Sequence, residues 1–293
     1  MPIIETKALS KYYGDVRGIY EINVCVEQGE FFGFIGPNGS GKSTAIRTLL
    51  GLIKPTTGTA KVLGKNIQSQ QTAILQQIGY MPSEAMFYNG MRVKEILKLS
   101  AKLHGKDCTA EANALCDRLK LDVQKKVETL SLGNRKKVAI VCALQHRPAL
   151  YILDEPTSGL DPLMQKEFFT ILTERHKEGA TIFLSSHVLT EIQHYCQRAA
   201  IIRNGEIIAC DTTENLAKTT AKKISLKGIS SMPEILNCSN VKAYDTHVDF
   251  LYSGPIKELL AAIESLPFTD LTIAEPSLDD MFLHYYEEGE RVK

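Results

Sequence analysis

The stretch GPNGSGKST, residues 36–44, constrains this chain more than any other. It has the form G-x-x-x-x-G-K-[ST], with Gly36, Gly41, Lys42 and Ser43 in the fixed positions. The apolar run FFGFI precedes it, and TAIRTLLGLI, which has helical spacing, follows it. A strand, a glycine-rich loop and a helix in that order make an anion site. Glycines let successive backbone N–H groups turn inward with no Cβ in the way. The helix aims the positive end of its dipole at the same point. Gly36, Pro37, Asn38, Gly39, Ser40 and Gly41 are therefore expected to wrap a phosphate chain. Lys42 would place a point charge at the β and γ phosphates, Ser43 would offer a hydroxyl to Mg²⁺, and Thr44 would hold an α phosphate. A plain Gly-rich turn would need neither all the fixed letters nor both flanks.

Such a loop belongs to an α/β core, and the first two hundred residues have that rhythm. IYEINVCV (19–26) alternates with period two and places Ile22, Val24 and Val26 on one face. YILDEP (151–156) and TIFLSS (181–186) are apolar runs ending in polar residues, as buried parallel strands do. Functional groups collect at the carboxyl ends of such strands. Between about 84 and 147 the pattern is helical only, which predicts an all-helical insertion. RNGEIIA (203–209) predicts a hairpin through Asn204-Gly205. After Thr219 the rhythm changes: KISLKG, VKAYD and HVDFLY read as strands. PIKELLAAIESL puts Ile256, Leu259, Leu260 and Ile263 on one helical face, and SLDDMFLHYY forms another helix that Ser277 and Asp280 would start. The expected organisation is a domain over 1–219, with the insertion at about 84–147, and a small α+β domain over 220–293.

The carboxylates come next. Asp154 ends an apolar strand, where acids of phosphate-loop proteins bind Mg²⁺ directly or through water. Glu155 points differently because strand side chains alternate, and beside a γ phosphate it could take a proton from attacking water or orient it. A DE pair at a strand end is often just solvated; a phosphate loop 112 positions upstream (154 − 42) favours the functional reading. SGLD (158–161) then turns into a helix with Pro162 in its first turn and Asp161 placed to cap it. His187 ends TIFLSSH, where it would reach a γ phosphate from the edge that carries Glu155.

A phosphate loop, then LSLGN at 130–134, then ILDEPTSGLD, then SSH, in that order, resembles the nucleotide-binding subunit of ATP-binding-cassette (ABC) transporters over roughly residues 1–210. The resemblance implies a P-loop NTPase with a RecA-like core, an antiparallel β subdomain and a helical insertion. It also implies that two such domains enclose two ATP molecules, each phosphate loop facing the other copy's signature motif. It assigns Tyr13 to adenine stacking, ahead of Tyr12, and Asp154 to the Walker B acid. Glu155 matches the catalytic glutamate, Asp161 the acid that communicates across the dimer, and His187 the switch histidine.

Two places depart from the family pattern. The usual LSGGQ is Leu130-Ser131-Leu132-Gly133-Asn134 here, 23 positions before Asp154 (154 − 131). In the family the groups that touch phosphate are the Ser hydroxyl, the second Gly's N–H and the amino end of the helix, and Ser131 and Gly133 keep these. Leu132 can point away, and Asn134 keeps an amide one methylene shorter than Gln, so the sequence reads as a working variant; a site weakened in hydrolysis is the alternative. After IGYMP the family's Gln is replaced by Ser83 and Glu84. Ser83 would reach a metal only through water, and Glu84 would bring charge; the sequence leaves the choice open.

EPSLDDMFLHYYE (275–287) resembles the end of single-cassette ABC-2 export subunits of the multidrug, bacitracin and lantibiotic type, although a helix packing its own small domain would read the same. The resemblance therefore implies an ATPase that drives a separate transmembrane permease, more in keeping with export than import. It would work as a dimer of two copies or with a homologous subunit, and would lie in the cytoplasm on the inner face of the cell membrane. Thirty-four basic and 34 acidic residues cancel, which argues against a nucleic-acid partner. The seven Cys form no CxxC pair, so reduced thiols are expected rather than zinc or disulfides. The amino terminus lacks a signal pattern, and no apolar run approaches the ~20 residues of a membrane helix. Translation factors of the ABC type carry two cassettes, whereas one phosphate loop is present; repair proteins need a long coiled coil, whereas only 89 positions (131 − 42) separate Lys42 from Ser131. A kinase of another phosphate-loop family would not carry the signature-like stretch or His187.

Overall fold

The computed structural model describes residues 2–217, 222–231 and 235–274. The expected helix with Ser277 and Asp280, and the 275–287 tail, lie outside the described residues. The chain divides into two compact units, Met1–Cys210 and Asp211–Lys293.

The first unit opens with β1 (Pro2–Tyr13), β2 (Val16–Ile22) and β3 (Cys25–Glu27), followed by β4 (Phe31–Ile35), the phosphate loop and α1 (Lys42–Leu49). Next come β5 (Thr57–Val62), β6 (Lys65–Asn66), α2 (Gln71–Leu75) and β7 (Ile78–Met81). Three helices follow, α3 (Val93–Leu103), α4 (Thr109–Arg118) and α5 (Leu132–Leu144). The unit closes with β8 (Leu150–Asp154), α6 (Pro162–Lys177), β9 (Thr181–Ser186), α7 (Leu189–Tyr195), β10 (Arg198–Arg203) and β11 (Glu206–Thr212).

Two sheets result. One has the order β2-β1-β5-β6, with β3 also on β1, and its strand pairings are antiparallel. The other has the order β11-β10-β4-β9-β8-β7, and β10, β4, β9, β8 and β7 run parallel. This is the expected α/β core with an antiparallel β subdomain. Every residue of β4, β8 and β9 is buried, the pattern of strands covered on both faces. Phe183 packs on Phe32 and Phe34 with ring centroids 5.7 and 5.4 Å away, a contact worth a few kcal/mol of burial at ~1.5–3 kcal/mol per side chain.

The expected single strand over 19–26 is instead two, β2 and β3. Glu21 adopts φ 45°, and the Thr6 hydroxyl fills the break by donating to the Ile22 carbonyl at 2.8 Å and accepting from the Val24 N–H at 2.7 Å. Ile22, Val24 and Val26 are all buried, so the face was right although the strand is interrupted. The hairpin between β10 and β11 turns on Asn204 and Gly205, both at positive φ. In the 84–92 segment the chain is not helical, and Met86 and Tyr88 stand 86% and 76% exposed.

In the second unit, α8 (Thr213–Ala217) precedes β12 (Lys222–Lys227), β13 (Cys238–Ala243), β14 (His247–Tyr252), α9 (Ile256–Ile263) and β15 (Asp270–Ala274). The four strands pair in the order β13-β14-β12-β15. Ile224, Leu226, Val248, Phe250, Leu259 and Ile263 form its core. Leu260 is exposed, a departure from the expected apolar face. Among the described residues no helix is long and apolar enough to cross a membrane.

Candidate nucleotide-binding site

Four neighbouring parallel strands, β4, β9, β8 and β7, end at one edge, and each delivers part of the site there. The phosphate loop leaves β4. Gly41 caps α1 at φ 106°, where a Cβ would lie 2.7 Å from the Gly18 carbonyl, so only glycine fits. Tyr13, Pro37, Asn38, Gly39, Gly41, Lys42, Ser43, Thr44, Ser83 and Glu155 line a cleft of about 430 Å³ together with Val16, Arg17 and Gly18. Gly36 and Ser40, both buried, lie just behind that lining. The Tyr13 ring is half exposed, with Lys11 Nζ 5.2 Å from its centroid.

Lys42 is nearly buried and donates to the carbonyls of Gly36 and Pro37. Its Nζ also sits 3.1 Å from Glu155 Oε1, a charge contact without aligned hydrogen-bond geometry. The other oxygen, Glu155 Oε2, lies 2.6 Å from His187 Nδ1. Lys42, Glu155 and His187 therefore meet although they come from three different strand ends. Glu155 has φ 49°, the left-handed region that side chains avoid at a cost of order 1–3 kcal/mol. Its N–H donates to both the carbonyl and the hydroxyl of Ser185 at 3.2 Å, which anchors the kink.

Asp154 is fully buried. Its Oδ1 accepts from the Ser185 hydroxyl at 2.6 Å, whereas Oδ2 is buried with no protein partner. This orphaned carboxylate oxygen and the hydroxyl of Ser43, which lines the cleft, are both hard oxygen donors of the kind that suits Mg²⁺.

The remaining predicted residues lie elsewhere. Ser131 caps α5, its hydroxyl accepting from the Asn134 N–H at 3.4 Å, and Asp161 caps α6 by accepting from the Met164 N–H at 3.0 Å. Ser131, Gly133, Asn134 and Asp161 are not among the residues lining the cleft. The two caps are neighbours: a Cβ on Gly133 would stand 2.9 Å from the Gly159 carbonyl, and Leu132, 63% exposed, lies beside the exposed Gly159.

Three residues escaped the sequence reading. Ser185 supports both Asp154 and Glu155. Glu191 is buried, accepts from the Ser186 hydroxyl at 2.7 Å, and has a pKa raised chiefly by burial. Lys136 on α5 is 2% exposed and donates to the Ser83 carbonyl at 2.6 Å. No periodic signal marks it, because α5 buries Val138, Ala139, Ile140 and Val141 in succession as well as Ala143 and Leu144, so burial runs around most of the helix.

The family model described as ABC transporter matches residues 19–158. The bacitracin transport ATP-binding protein BcrA of Bacillus licheniformis is 33% identical over 96% of both chains. The chain belongs to the ABC transporter ATP-binding proteins. BcrA of Enterococcus faecalis is also 33% identical, over 96% of this chain and 95% of its own. A solved ATP-binding subunit of an ABC transporter superposes with TM-score 0.69 at 32% identity, over 73% of this chain and 91% of its own. As an ABC ATP-binding subunit the protein binds ATP and is an ATPase.

Proposed function

We propose that two copies of this ABC subunit, or one copy and a homologous ATPase subunit, close around two ATP molecules and drive a separate transmembrane permease in export. The phosphate loop, Gly36 to Thr44, binds the triphosphate, and Tyr13 stacks on the adenine. Glu155 orients the attacking water or takes its proton, and His187, bonded to Glu155, holds that carboxylate toward the γ phosphate. Ser43 and Asp154 would hold Mg²⁺, with Ser83 reaching it through water; the ion would supply charge neutralisation at the phosphates. Ser131, Gly133 and Asn134 offer the amino end of α5, and Asp161 the start of α6, to the partner's nucleotide. The exposed Met86 and Tyr88 of the helical insertion suit docking to the permease, which would hold the protein on the inner face of the membrane. Export rests on similarity along nearly the whole chain to BcrA, named for bacitracin transport. The two-domain division proposed here is a cassette followed by a small accessory α+β domain.

The meeting of Lys42, Glu155 and His187 at the phosphate loop is the observation that carries this reading. It is tested with Glu155→Gln, which keeps the shape and removes the charge. Light scattering should find an ATP-dependent dimer, and steady-state turnover should fall at least a hundredfold. A variant that stays monomeric at saturating ATP, or that hydrolyses at the native rate, overturns it.

A further inference from the structure

Lys136 is the one charged residue among those that α5 buries, and it is 2% exposed. Removing an ammonium from water costs several kcal/mol, and an apolar residue of similar length would usually serve stability as well or better. Its environment indicates what it does instead. Nζ donates to the carbonyl of Ser83, 53 residues away, at 2.6 Å. The carboxylates of Asp154, Glu155 and Glu84 face it electrostatically. Ser83 follows β7 and lines the nucleotide cleft, so the lysine grips the back of a segment whose front faces the substrate. Lys136 itself lies within about a turn and a half of Ser131, Gly133 and Asn134.

We propose that Lys136 is a positioning residue for hydrolysis, clamping the Ser83 segment to α5 so that the cleft of one protomer and the amino end of its own α5 move as one piece. The inference rests on the role proposed above for that helix end. The clamp links the nucleotide a protomer binds to the helix end it offers its partner, and it makes no contact with the substrate. Its loss should therefore slow turnover and leave nucleotide binding in place.

The full-length chain is compared with Lys136→Met, which keeps the apolar stem, and Lys136→Arg, which keeps charge and donor. Lys136→Met should lower kcat at least tenfold while the Kd of a fluorescent ATP analogue stays within twofold, and Lys136→Arg should recover kcat to within threefold. Amide exchange in Lys136→Met should quicken both at 81–84 and at 131–135. Native kcat in Lys136→Met, joint loss of kcat and binding, failure of Lys136→Arg to recover, or unchanged exchange at either segment each overturns the clamp. A Lys136→Met chain without a cooperative unfolding transition would make the contact merely structural and also overturns it. A native protein that fails to hydrolyse ATP sinks the proposed function instead, and the exchange experiment still judges the clamp without turnover.

Discussion

Glu155 combines a strained backbone, a bond to His187 and a contact with Lys42, so its kink places one carboxylate between an ammonium and an imidazole drawn from other strand ends. Single letters made much of this visible. The phosphate loop is legible because each fixed residue is dictated by steric or electrostatic need, whatever surrounds it. Lys136 was harder, because a basic residue after a helix start normally reads as solvated, and a helix buried around most of its circumference offers no phase to betray it. The variant signature also resolves at this scale. Leu132 points outward over Gly159, whereas Gly133 has the Gly159 carbonyl at its back. Gly133→Ala should cost about 1–3 kcal/mol by overpacking and depress turnover. Leu132→Gly should cost no more than about 1 kcal/mol and keep turnover within threefold of native. Denaturant unfolding with steady-state kinetics checks both, and a more than tenfold gain from Leu132→Gly would show the signature to be a weakened one.

Among elements, the helical insertion meets the core partly through stacked imidazoles. His104 at the end of α3 lies over His146 just after α5, with centroids 3.6 Å apart, and His146 Nε2 contacts the Ile78 carbonyl at 3.0 Å. Burial, then the neighbouring His104, push the His146 pKa down from 6.5 to about 4. The unfolded chain then binds more protons than the folded one between those values. Stability from this group is full above pH 6.5 and is lost as the pH falls toward 4. Unfolding near pH 5 should take up roughly one proton that His146→Gln does not, which denaturation at a series of pH values would detect. Strand and helix identities were readable where burial is two-sided or amphipathic, as in β4, β8, β9 and α3. β15 was missed because Asp270–Ala274 is mostly exposed and finds its place only by pairing with β12. The β2–β3 break was missed because a side chain 16 to 18 residues away, Thr6, makes it.

For the molecule as a whole, the order of motifs along the chain carried the fold, since each motif lies at the carboxyl end of a parallel strand or at a helix start. The convergence of Lys42, Glu155 and His187 on one phosphate position was expected from their places at strand ends; what stayed illegible is the direct contact of Glu155 with both other side chains, which depends on the strand order β4-β9-β8 rather than on the chain order. The two units hold separate apolar cores. A chain ended after Ala217 should thus unfold cooperatively and bind ATP within about threefold of the full protein. Circular dichroism melting and equilibrium nucleotide titration check it; loss of the transition would tie the cassette's stability to its companion.

Leu132 lying across Gly159 has an evolutionary corollary. Gly159 sits at φ 80°, a backbone that strains any side chain, whereas a methyl there would meet the leucine only at an ordinary contact distance of 3.4 Å. Related genes should therefore keep glycine at the second site whatever the first carries, with the first at liberty to diversify.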